Sequence, residues 1–104
     1  MDNPPITLLV KQAVTALDPN AEVILYGSRA RGTNSANSDW DFLIITGTCA
    51  HRELKQKMRR SIYEIEWATS EVISVVIRNR QEWDLPILQS SPFHINIDHE
   101  GLRL

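Results

Sequence analysis

Two aspartates two residues apart, Asp39 and Asp41, stand at the start of the apolar run Trp40 to Thr46. Side chains i and i+2 of an extended strand point to the same face, so both carboxylates are expected at one end of a buried strand. Left unpaired there, they would repel each other and lose hydration unless a cation neutralised them. A divalent metal is the economical neutraliser. Eleven residues before Asp39, Gly27-Ser28 ends a second apolar run, Val23 to Tyr26, with a turn whose backbone amides can face an anion. Metal beside phosphate is the chemistry that these residue types suggest.

The elements that must position these groups follow from patterning. Asn3-Pro4 reads as an N-cap with proline in the first turn, and Ile6, Leu9, Val10, Ala13 and Leu17 then share one helical face. Asp18-Pro19-Asn20 ends that helix, and Glu22 to Tyr26 is a short apolar strand. Gly27 to Ser38 has the composition of a loop, with room for a helical turn over Arg29 to Thr33. Trp40 to Thr46 is apolar almost throughout, which places it centrally in a sheet, and Gly47-Thr48 closes it. From His51 or Arg52 to Ala68 a long helix is expected, with Leu54, Met58, Ile62 and Ile65 as its buried stripe. Val72 to Ile77 is a third strand, rich in β-branched residues. Asn79 to Asp84 reads as a turn or short helix, and a last helix runs from about Phe93 to Glu100, stopped by Gly101. This order describes one α/β (α+β) domain over residues 1–104, a small mixed sheet with helices packed on it.

The totals narrow the function classes. A formal net charge of −2 gives no electrostatic case for direct nucleic-acid binding. No apolar stretch reaches the roughly 20 residues needed to span a bilayer. The N-terminus lacks the pattern of a signal peptide, and the single cysteine, Cys49, cannot form an internal disulfide. A cytoplasmic protein is expected.

Alone, a Gly-Ser pair after a strand is usually a turn, and a lone D-x-D is a common strand start. The spacing fits neither a Walker loop, a dinucleotide fingerprint nor a nucleophile elbow, so Ser28 reads as a phosphate contact rather than a nucleophile. The combination carries the weight: strand, Gly-Ser, a loop of about ten residues, then D-x-D opening a second apolar strand.

Gly27-Ser28, Ala30-Arg31-Gly32, Ser38-Asp39 and Asp41 resemble the G-S-x-A-R-G…S-D-x-D signature of minimal nucleotidyltransferase domains, in the DNA polymerase beta-like superfamily. The specific motif covers Gly27 to Asp41, while element order and length resemble the family over nearly the whole chain. The resemblance implies that Gly27, Ser28 and Arg31 face the triphosphate of ATP. It implies that Asp39 and Asp41 are the catalytic carboxylates and bind Mg²⁺, an ion suited to oxygen ligands. It also implies transfer of AMP to a hydroxyl acceptor. So small a domain needs a partner, a second subunit or a very small acceptor to complete the site. Family members often act as antitoxins to separately encoded HEPN-domain toxins, some by adenylylating them.

The sequence departs from the family at one point. A third metal carboxylate is expected on the strand Val72 to Ile77, where the matching position is Ser74. Glu71 is close in sequence but of opposite strand parity. The alternative function is therefore a weak or inactive nucleotide-binding antitoxin that neutralises its partner by contact.

Other residues remain open at this level. Arg29 and Arg31 could touch a triphosphate or pair with nearby acids. Arg52, Lys55, Lys57, Arg59 and Arg60 form either a solvated helix face or a meeting place for an acidic partner. Trp67, Trp83 and Phe93 read as core or interface anchors, and Tyr26 as a packed strand end. Cys49 and His51 lack a second ligand pair, and His94 and His99 are five apart, which argues against zinc.

Overall fold

The computed structural model describes residues 4–47 and 51–104. Ten elements follow in order: α1 (Ile6–Leu17), β1 (Glu22–Tyr26), α2 (Ser28–Arg31), β2 (Trp40–Thr46), α3 (Arg52–Thr69), β3 (Ile73–Asn79), α4 (Arg80–Trp83), α5 (Pro86–Gln89), α6 (Pro92–Glu100) and β4 (Leu102–Arg103). The sheet order is β3-β2-β1-β4. β1 is antiparallel to β2 and to β4, whereas β2 and β3 run parallel, joined by the long crossover helix that parallel neighbours require. The sheet is thus mixed, as its sequence implied.

Strand alternation builds two cores. Phe42 and Ile44 of β2 face Val10 and Val14 of α1 and Met58 and Ile62 of α3. Leu43 and Ile45 face the other way, against Trp83 of α4 and Ile97 of α6. All five residues from Phe42 to Thr46 are buried, which confirms a central strand covered on both faces.

Several boundaries differ from the sequence reading. Asn3, Thr48 and Cys49 lie outside the described residues. Pro5, extended at φ −63° and ψ 149°, holds the N-cap position of α1, and its carbonyl accepts from Leu8 and Leu9 at 3.0 and 3.1 Å. The helical turn begins at Ser28, β3 starts at Ile73 and continues to Asn79, and α6 starts at Pro92. α5 and β4 had no signal. β4 is two residues long and exists because Leu102 and Arg103 pair with Leu25 and Ile24.

The α1–β1 turn is pinned by a buried side chain. Asp18 Oδ1 accepts from Asn20 N and Oδ2 from Gly47 N, both at 3.0 Å, tying the start of β1 to the end of β2. Asp18→Ala leaves both amides without this partner and is expected to cost about 1–3 kcal/mol. Urea unfolding checks this as a lower midpoint at unchanged slope.

Candidate functional site

β1 ends where β2 and β3 begin, and the site gathers at that end of the sheet. Register aligns Tyr26, Asp41 and Ser74 across three neighbouring strands. Registered partners share a face, here the one that also carries Leu43 and Val76. Asp39 lies just outside β2, one residue before its first, but its charge still acts on Asp41.

Gly27 decides how closely the two motifs approach. At φ 76° and ψ −160° it adopts backbone open to glycine. A Cβ added there would collide with Asp41 Oδ2 and stand 3.2 Å from Asp41 Cγ. The carboxylate of one motif therefore rests on the turn of the other. The turn then coils into α2, where Ala30 and Arg31 donate to Gly27 O at 3.1 Å. The first amides of such a turn, on Ser28 and Arg29, have no partner within it. Gly32, left-handed at φ 77°, ends it.

Burial holds the Asp41 carboxyl above the ordinary carboxylate range, and the Asp39 charge pushes it the same way, against a smaller opposing effect of Arg31. The Tyr26 phenol is likewise raised, by burial and then by Asp41. These are electrostatics that a cation would relieve. Among the described residues no group of three His, Cys, Asp or Glu could hold a metal. Two carboxylates remain, with the Ser74 hydroxyl in register at the third corner. An all-oxygen set of that size suits a hard cation that completes its shell from phosphate and water.

The two motif arginines separate in role. Arg29 turns inward: its side chain is 12% exposed and its guanidinium lies 4.3 Å from the centroid of Trp40. It donates to Ser38 O from Nη2 at 3.0 Å and to Ala36 O at 3.3 Å, and it meets Glu71 at 3.9 Å. It clamps the loop that delivers Asp39. Glu71 is thereby engaged by the arginine that stacks on Trp40. Arg31 points out to α6, where Nη1 donates to both Glu100 oxygens at 3.1 and 3.2 Å. Neither partner carbonyls nor Glu100 could be read from the motif, since both depend on how the loop and α6 fold back. Tyr26 packs at the strand end as expected, edge-on to Phe93, and Trp83 is core, whereas Trp67 is 74% exposed.

The sequence matches the family model described as Nucleotidyltransferase domain over residues 9–103. The chain belongs to this family. No curated protein matches it by sequence. Two solved structures share the fold at 15% identity. A toxin-antitoxin with AMP-PNP aligns with TM-score 0.63 over 95% of this chain and 72% of that one. A mutant of the toxin-antitoxin MntA-HpeT aligns with TM-score 0.55 over 94% and 68%. The α/β architecture is thus that of nucleotidyltransferases. No helix among the described residues is long and apolar enough to cross a membrane.

Because folding raises the proton affinity of Asp41, the folded chain holds more protons than the unfolded one above the usual carboxylate range, and stability falls as pH rises through it. The cost is present above that range. Asp41→Asn is expected to raise Tm at pH 7, with the gain shrinking at a pH below about 4, where both states are protonated. Thermal melts of both proteins across pH check this.

Proposed function

We propose that residues 1–104 form a single minimal nucleotidyltransferase domain that transfers AMP from ATP to a hydroxyl of a partner protein, in a toxin-antitoxin pair. The observation that carries this is the seating of Asp41 against the Gly27 turn. It sets the first amides of the turn beside a carboxylate that burial and the Asp39 charge disfavour, which supports a site for phosphate and a cation. Family membership and the fold shared with toxin-antitoxin structures support the same reading.

In this account Gly27 and Ser28 cradle the triphosphate, and Arg31, 48% exposed, exchanges Glu100 for a phosphate oxygen. Asp39 and Asp41 hold a divalent ion, Mg²⁺, which when bound neutralises developing charge on the phosphates. The acceptor oxygen forms a bond to the α-phosphorus as the bond to the β-phosphate bridging oxygen breaks. Pyrophosphate leaves, and the hydroxyl proton passes to solvent. The partner is a HEPN-domain toxin, in line with the family resemblance.

Ser74 supports a second reading. It stands in register with Asp41 where a third carboxylate would complete the metal ligands. A neutral hydroxyl there is a weaker ligand, so neutralisation of the toxin by contact, with nucleotide bound but little transfer, is the alternative.

Intact mass of the partner after incubation with ATP and Mg²⁺ separates the two. Transfer adds one or more AMP groups, and Asp41→Asn lowers the rate by about 100-fold or more if its charge stabilisation is worth several kcal/mol. A partner that stays unmodified yet neutralised rules out the enzyme. Ser74→Asp is expected to raise both the transfer rate and Mg²⁺ affinity, the latter measured by calorimetry. An unchanged variant would mean that Ser74 is not the third position.

A further inference from the structure

The outer face of α3 is built unlike the rest of the surface. Arg52, Gln56, Arg59, Arg60, Tyr63 and Trp67 recur at helical spacing on the side opposite Met58 and Ile62, and all six are exposed. Tyr63 is 57% and Trp67 74% exposed, yet their rings meet edge to face with centroids 6.2 Å apart. With Glu66 and Ser70 they line a shallow recess. Two large rings that hold each other in place in solvent lose little further freedom on docking.

Charge says what kind of surface would cover this face. Arg29, Arg31, Arg80 and Arg103 each pair with an acid of the chain. Arg52, Arg59 and Arg60 have no ion pair among the described residues, although the whole chain is net acidic. A stripe of free arginines ending in an exposed Tyr-Trp pair contains the three residue types most enriched at the energetic centres of protein interfaces.

Its place in the fold gives it a direction. Glu66 Oε2 accepts from Ile73 N at 2.9 Å, and Trp40 N donates to Val72 O at 2.9 Å. The aromatic end of α3 therefore lies at the end of the sheet that carries Asp39 and Asp41. Val72, 55% exposed, follows the aromatic end of α3 and immediately precedes the edge strand β3.

We propose that this face docks an acidic surface of a partner protein, with carboxylates on Arg52, Arg59 and Arg60 and an apolar side chain in the Tyr63–Trp67 recess. Several features favour protein over nucleic acid. The two rings are packed on each other at 81° rather than offered as parallel platforms for bases, and Glu64 and Glu66 interrupt the positive stripe. The docking face does not depend on the transfer chemistry.

The test is fluorescence anisotropy with a labelled acidic copolymer of Glu and Tyr, beside a Lys-Tyr copolymer and an oligouridylate. The protein is used as wild type, as Arg59→Glu/Arg60→Glu and as Trp67→Ala. The acidic copolymer is expected to bind alone, more weakly at high salt, and to lose about tenfold or more in each variant. Circular dichroism and Tm should not change, since the substituted side chains are exposed. Equal affinity in the variants, or preference for the oligouridylate, would overturn the proposal. So would a wild-type dimer on light scattering that the same substitutions dissolve, because the occupant would then be a second copy.

Discussion

The site depends on one close approach: the Asp41 carboxylate lies where any side chain at residue 27 would have to be. Antiparallel register sets it up, by placing Tyr26 opposite Asp41 so that the turn leaving β1 passes over the start of β2. Only glycine permits that turn at φ 76° without a clash. The Gly27 turn and the Asp41 carboxylate are therefore one structural unit, although loop and strand residues separate them in sequence.

The surrounding structure serves that unit. Burial of β2 on both faces fixes the strand, and Asp18 fastens its far end. Arg29 holds the intervening loop by its carbonyls, so Asp39 reaches Asp41 although it lies outside the strand. Burial of the Asp41 carboxyl, with the Asp39 charge beside it, is a modest instability built into the protein. Arg31 lies close enough to moderate it, but its own bond goes to Glu100.

What could be read from sequence was what local pattern controls. The three main strands, the two long helices and the mixed sheet follow from apolar periodicity. The pair of motifs followed from residue type and spacing, and Ser74 stands in register with Asp41. What could not be read depends on contacts between distant residues. β4 is too short to carry a pattern and is held by pairing with β1. Arg29 and Arg31, two residues apart on one helical turn, point to different places, and only the folded loop and α6 say which. Trp67 belongs to an otherwise ordinary amphipathic helix, and its exposure follows from which side of α3 meets the sheet.

The most direct test of the account is calorimetric titration of ATP into the protein with Mg²⁺ or with a chelator, repeated for Asp39→Asn and Asp41→Asn. Binding that requires Mg²⁺ and both carboxylates is the result predicted. ATP affinity indifferent to the ion and to both substitutions would contradict it.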